Sequence, residues 1–344
     1  MVLKMKKRIK IIICLLIMLI SFLCLNKQTI VKAETTAKAM CVLEANSERK
    51  LYSKNENIKL PMASTTKIVT ALTVLNNCKE LDKEFKIDNR AVGISGTSIY
   101  LKQDEIMTVR ELLYGMMLPS GNDAATALAY HISKDIPTFC ELMKETAEKC
   151  GAYNSNFENP HGLDSSSHYT TAYDLALITA KALENDIFKE IVTTKYTRIR
   201  GSSQGTYRYL KNKNKLLNSL EGCIGVKTGY TGNAGRCLVS ACERDGFRTV
   251  CVVLNCGPMF EESFEYINKA YSEYKKVTLL PNYKLARKIS VNQGKKQYVK
   301  TFSKRGFIYP LTEEELSRII IKYNLPNSLD APIKKEEVSS LFQT

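Results

Sequence analysis

Three short clusters in this 344-residue chain carry side chains that could make and break covalent bonds. In Ser64-Thr65-Thr66-Lys67 a hydroxyl and an amine stand three residues apart. Residues at that spacing share one helix face, which puts Lys67 over Ser64. A serine hydroxyl is a weak nucleophile at neutral pH and needs a base within hydrogen-bond reach. A lysine can be that base once burial or a nearby cation lowers its pKa. At a helix start, backbone N–H groups also face any negative charge that develops. By itself the cluster is weak, and an ordinary helix cap at Ser64 is the better account of it.

The other two clusters narrow the reading. Ser120-Gly121-Asn122 falls in a turn between two helical patterns. It offers a hydroxyl to pass a proton and an amide to hold a carbonyl. Lys227-Thr228-Gly229 falls on a strand pattern. It offers a cation for a carboxylate, a hydroxyl, and a glycine that lets a ligand approach the strand closely. Singly, each is explained by a loop cap or an exposed strand end. In this order, with room between them for a helical block, the three are specific.

The elements that position them follow from periodicity. Met40 to Leu43 and Lys50 to Tyr52 flank Asn46-Ser47 and read as a hairpin. Ile68, Val69, Ala71, Leu72 and Leu75 recur at helical spacing, so a helix is expected from Ser64 to about Asn76. Helical patterns return over Val109 to Met117, Asp123 to Ile132, Pro137 to Cys150 and Thr171 to Leu183. Strand patterns follow over Val192 to Arg200, Gly225 to Thr228, Arg236 to Glu243 and Arg248 to Asn255, with Asp245-Gly246 as a turn. Phe264, Ile267, Ala270, Tyr271 and Tyr274 mark a closing helix, and Thr312 to Tyr323 a late one. Strands at both ends and helices between predict one sheet built from both ends of a domain, with a helical block to one side.

Composition and charge exclude several classes. A hydrophobic share of 44% suffices for a folded core. Of the net charge of +15, seven positive charges lie in residues 1–33, which hold no acid. Residues 279–344 carry 12 basic and 6 acidic side chains, so the middle of the chain is nearly neutral. That argues against a nucleic-acid grip. Lys4, Lys6, Lys7, Arg8 and Lys10 precede an apolar run from Ile11 to Leu25, and Val31-Lys32-Ala33 follows. This order predicts a secretory signal peptide cleaved after Ala33. The run is shorter than the ~20 residues of a spanning helix. Eleven cysteines become nine once the leader is gone, an odd number scattered through apolar stretches. Mostly free, buried thiols are expected. No metal site is expected, because Cys237, Cys242, Cys251 and Cys256 lack paired spacing and nearby His.

The motifs carry a resemblance. Pro61-Met62-Ala63-Ser64-Thr65-Thr66-Lys67, Leu118-Pro119-Ser120-Gly121-Asn122-Asp123-Ala124, Asn159-Pro160-His161-Gly162-Leu163 and Val226-Lys227-Thr228-Gly229-Tyr230-Thr231 resemble the D-alanyl-D-alanine carboxypeptidases of the low-molecular-mass penicillin-binding group. The likeness spans about 35–278. It implies a three-layer α/β/α domain with an antiparallel sheet and a helical subdomain, followed by a small partial β-rich appendage. The implied division is a signal peptide at 1–33, a catalytic domain at 34–278 and the appendage at 279–344. Carried over, Ser64 is the nucleophile, Lys67 its base and Ser120 the proton relay. Asn122 holds the peptide, and Lys227, Thr228 and Gly229 bind the terminal carboxylate. The backbone N–H groups of Ser64 and Tyr230 form the oxyanion hole. The implied substrate is the D-Ala-D-Ala end of a peptidoglycan stem peptide, with β-lactams as covalent inhibitors and no cofactor. Gly121, and the lack of an E-x-x-L-N stretch, tilt away from the rival reading as a β-lactamase or esterase. An inactive scaffold has no reason to keep all the motif residues. His161 reads as a structural loop residue, since no G-x-S-x-G elbow accompanies it. The late helix lacks the basic face of a surface anchor, so weak or no membrane attachment is expected.

Overall fold

The computed structural model describes residues 35–303, 305–322 and 325–333. The leader expected over 1–33, Tyr323 and Lys334-Lys335 lie outside them.

The chain opens with β1 (Ala39–Glu44) and β2 (Arg49–Lys54), the expected hairpin. Ala39, Cys41 and Leu43 enter one core, while Met40 and Val42 enter another. A strand buried on both faces belongs inside a covered sheet. A 3₁₀ turn (Ala63–Thr66) then runs into α1 (Lys67–Asn77), whose first eight residues are all buried. A two-stranded ribbon, β3 (Glu84–Lys86) and β4 (Ile106–Thr108), leads to α2 (Val109–Met117), α3 (Asn122–Ile132) and α4 (Ile136–Lys149). Thr108 and Glu111 form a capping box at α2, and the Asp135 carboxylate caps α4. After α5 (Ala172–Ala182) the sequence expectation fails once. Val192 to Arg200 was expected as one strand, but α6 (Asp186–Thr193) precedes a shorter β5 (Tyr196–Arg200). The Asn185 side chain accepts from the N–H groups of Ile187 and Phe188, and Phe188, Ile191 and Val192 bury at helical spacing. Cap and core together override the β-branched run at 192–194.

β6 (Tyr207–Lys211) pairs with β5 as a separate hairpin. β7 (Cys223–Thr231), β8 (Gly235–Arg244) and β9 (Phe247–Leu254) complete an antiparallel sheet of order β2-β1-β9-β8-β7. Its centre thus joins the first strand to the last, as expected. α7 (Met259–Glu273) covers one face through Ile267 and Ala270. α5 and α6 cover the other, with α1 behind them. This is the three-layer α/β/α arrangement, and β7 is its edge strand.

The remainder is β-rich. β10 (Lys275–Leu280), which runs through the expected boundary at 278/279, pairs with β13 (Phe307–Leu311). β11 (Leu285–Asn292) pairs with β12 (Tyr298–Phe302) and β14 (Ser328–Asp330). α8 (Glu313–Arg318) is shorter than expected. Ile319 turns extended, where a run of three isoleucines favours strand-like backbone. Arg49 of β2 bonds to the Pro310 carbonyl and the Glu315 carboxylate, and lies over the rings of Tyr274 and Tyr309. All nine cysteines of the described residues are free.

Candidate active site

Ser64 sits in the 3₁₀ turn, and its hydroxyl donates to the His161 carbonyl oxygen at 3.5 Å. Lys67 opens α1 one turn later and is fully buried. Its Nζ lies 2.9 Å from Ser64 Oγ, 2.7 Å from Asn122 Oδ1 and 2.6 Å from the His161 carbonyl oxygen. Two of these partners can only accept. Nζ donates to all three, and Ser64 Oγ donates to the same His161 carbonyl. Once Nζ gives up one proton, its lone pair faces the serine hydroxyl, the one partner of the three that can donate. The electrostatics agree. Burial, then the charges of Lys227 and Lys213, hold the Lys67 ammonium well below the usual lysine range, against a smaller opposing pull from Asp123.

Each partner is itself held. Asn122 Nδ2 donates to the Ser95 carbonyl at 2.7 Å, which fixes Oδ1 toward Lys67. The buried Asp123 carboxylate accepts from Ser98 Oγ and from the N–H groups of Ile99, Leu101 and Ala124. It thereby fixes the loop that carries Ser95. The His161 carbonyl belongs to a loop in which Asn159 Oδ1 accepts from the Gly162 N–H at 2.7 Å. Gly162 has φ +89°, and a Cβ there would fall 1.9 Å from the Ala63 oxygen, so only glycine lets the loop close on the serine turn. The Glu158 N–H donates to His168 Nδ1, so His168 Nε2 carries the proton and donates to Thr66 Oγ1 at 2.8 Å. Thr66 Oγ1 donates onward to Ala63 O. Burial pushes His161 down to about 3 and His168 down to about 4, so both rings are neutral.

Edge strand β7 faces this turn. A Cβ on Gly229 would lie 3.0 Å from Met62 O and 3.1 Å from the nitrogens of Ser64 and Thr65. Lys227 is buried, and among the described residues its Nζ donates only to the Thr228 carbonyl, at 3.0 Å. Burial, helped by Lys213, pushes it down to about 7. Ser120 is buried beside Asn122 in left-handed backbone, φ +76°. The hydroxyls of Ser120 and Thr228 have no hydrogen-bond partner among the described residues. Thr228 flanks Gly229 on β7, and the Tyr230 ring is exposed.

The structure therefore sets Lys67 against Ser64 and Asn122, Gly229 against the Ser64 turn, and Lys227 close enough for its charge to bear on Lys67, with Ser120 and Thr228 close to these groups in the chain. Sequence reasoning missed the supports: the His161 carbonyl, His168 with Thr66, the Ser95 loop and Lys213. Only the Asn159-Pro160-His161-Gly162 stretch carried a signal. A carbonyl contact leaves no mark on residue type.

A buried lysine of lowered basicity, held against a serine beside the edge of such a sheet, is the arrangement of a serine acyl-transfer enzyme with the penicillin-binding fold. The chain belongs to the D-alanyl-D-alanine carboxypeptidase family, whose profile matches residues 26–257. Residues 274–338 match the C-terminal domain of penicillin-binding protein 5. The chain is 30% identical over 317 residues to D-alanyl-D-alanine carboxypeptidase DacF of Bacillus subtilis, covering 89% of this chain and 80% of that one. It is similar to penicillin-binding protein 5 of Haemophilus influenzae, with a TM-score of 0.78 and 26% identity over 89% of this chain and 91% of the other. It is also similar to the Streptomyces K15 DD-transpeptidase, with a TM-score of 0.66 and 30% identity over 71% of this chain and all of that one.

Proposed function

We propose that this protein is an exported carboxypeptidase that removes the terminal D-alanine from peptidoglycan stem pentapeptides. Lys67 takes the Ser64 proton as Oγ attacks the penultimate carbonyl carbon. The resulting oxyanion is held by the backbone N–H groups of Ser64 and Tyr230. Ser120 passes the proton to the leaving nitrogen, the C–N bond breaks, and D-alanine departs. Water then attacks the acyl-enzyme and restores the serine. The free N–H of Asn122 Nδ2 holds the peptide carbonyl. Lys227 and the Thr228 hydroxyl take the terminal carboxylate, with Gly229 keeping the strand close. No cofactor enters these steps.

The observation that carries this reading is the buried Lys67 amine, 2.9 Å from Ser64 Oγ, where burial and the charges of Lys227 and Lys213 favour the deprotonated form that a base needs. The charged N-terminus followed by an apolar run and Val31-Lys32-Ala33 supports export. Division into a catalytic part ending near 278 and an appendage beyond it belongs to the same proposal. So does the absence of firm membrane anchoring; no described helix is long and apolar enough to cross a membrane. The test is a pentapeptide ending in D-Ala-D-Ala, assayed for free D-alanine, alongside benzylpenicillin and intact mass. We expect steady D-alanine release and one slowly cleared adduct, both lost in Ser64→Ala. Rapid turnover of a cephalosporin reporter without D-alanine release would overturn the assignment.

A further inference from the structure

The β5–β6 hairpin has two dissimilar faces. Inward, Ile199 and Leu210 are buried, and Arg208 is pinned to Ile99 O at 2.7 Å, Tyr100 O at 3.1 Å and the Glu105 carboxylate at 2.6 Å. Outward, the register pairs Tyr196 with Lys211, Arg198 with Tyr209 and Arg200 with Tyr207. Every rung thus presents one ring and one cation. Tyr209 is 80% exposed, Tyr196 63% and Tyr207 51%. The Arg198 guanidinium lies 4.4 Å from the centre of the Tyr207 ring, and Lys211 Nζ 5.6 Å from that of Tyr196. Arg200 pairs with Glu84 at 2.6 Å, but Arg198 and Lys211 have no acidic partner among the described residues. Three exposed rings and two uncompensated cations serve no core.

This face is continuous with the cleft. Two residues beyond β6 stands Lys213, whose charge bears on both Lys67 and Lys227 and whose Nζ lies 3.5 Å from Thr97 Oγ1. The loop that anchors Arg208 is the one whose Ser95 and Thr97 carbonyls hold Asn122. Rungs two residues apart are spaced about 7 Å, so the platform leads roughly 14 Å outward from the cleft rim.

We propose that this outward face docks the aminosugar strand of peptidoglycan beside the stem peptide being cut. The proposal rests on the hydrolase reading above and names the part of the polymer that the surface receives. The apolar faces of sugar rings stack on the tyrosines. Arg198 and Lys211 meet carboxylates of neighbouring stem peptides. A single-stranded nucleic acid would suit rings and cations too. The near-neutral charge of the chain between its two basic ends disfavours that polymer.

The test replaces Tyr196, Arg198, Tyr209 and Lys211 together by alanine in the full chain, and separately makes Arg198→Gln with Lys211→Gln, which keeps the rings. Four readouts apply: co-sedimentation with purified insoluble peptidoglycan, D-alanine release from that polymer, D-alanine release from the soluble pentapeptide, and benzylpenicillin acylation. We expect the fourfold variant to lose about tenfold in polymer binding and in kcat/KM on polymer. Soluble-peptide turnover and acylation should stay within about twofold. The double variant should show a smaller loss, largest at low salt. Unchanged polymer binding overturns the proposal, as does an equal loss on both substrates, or a variant that loses oligonucleotide binding instead. If the unaltered protein releases D-alanine from neither substrate, the hydrolase reading falls. The sedimentation arm then decides the docking face alone, a loss supporting it and no change ending it.

Discussion

Around Ser64, the polar side chains of the helical wall are held mainly by one another, whereas on the facing strand they are not. Lys67 has three partners, Asn122 uses both ends of its amide, and Thr66 is bonded on both sides. On β7, among the described residues, Lys227 reaches only its neighbour's carbonyl, and the Thr228 hydroxyl has no partner. The two lysines differ accordingly. Lys67 is held by three acceptors while burial and two neighbouring cations press it toward the neutral amine. Lys227 is a buried amine still lacking the anion that would suit its charged form. One wall is organised before the substrate arrives, as catalysis of a charge-developing step requires. The other is completed by what binds.

Four experiments can break or sharpen that contrast. The largest effect belongs to Lys67. Lys67→Ala should slow benzylpenicillin acylation by about 10²–10⁴, followed by intact mass, because Ser64 loses its base. A slowing of less than tenfold would assign the proton to another group. Next comes the pH profile. Carboxylate binding needs protonated Lys227, which burial pushes down to about 7. For the D-Ala-D-Ala peptide, kcat/KM should therefore fall as pH rises above 7, and Lys227→Arg should remove that falling limb, since a guanidinium stays charged throughout. A limb that stays near 7 in the arginine variant belongs elsewhere. Gly229→Ala should cost about tenfold in acylation, since the new methyl group meets Met62 O and the Ser64 nitrogen at about 3 Å. Wild-type rates there would show that β7 yields freely. The smallest effect is expected from the far end: ending the chain after Tyr274 should change acylation by less than about twofold. That variant forfeits the Arg49 contacts to Pro310 and Glu315, so its Tm should drop by a few degrees. Loss of acylation in soluble, folded truncated protein would give the appendage a part in the site.

The contrast between walls also explains what was legible beforehand. Ser64, Lys67, Lys227 and Gly229 act through side-chain chemistry, or the lack of a side chain, and so leave a residue-type signal. The helices at 109–117 and 123–132 and the strands at 236–243 and 248–255 follow from periodic burial against a two-sided sheet. By contrast, the His161 carbonyl acts through backbone, and its partner is 94 residues away. Lys213 acts at the cleft through position alone. The helix at 186–193 was hidden because its C-terminal residues, Ile191, Val192 and Thr193, are also good strand formers. Its cap, Asn185, lies six residues before Ile191, in the gap between the helix expected to end at Leu183 and the strand expected from Val192. The late isoleucines show the reverse error, a helical pattern that extended backbone claimed.

Burying two lysines side by side also ties the fold to proton concentration. Unfolded, each amine titrates near 10.5, whereas folded, Lys227 titrates near 7 and Lys67 well below its usual range. Between those limits the unfolded chain binds more protons than the native one, so stability rises with pH through this window. Read downward, the penalty is absent above about 10.5, grows as the pH falls, and for Lys227 is complete by about 7. The same desolvation that arms the serine therefore makes the resting enzyme a protein that loosens as the pH falls from about 10.5 toward 7, and an anion seated on Lys227 a means of tightening it again.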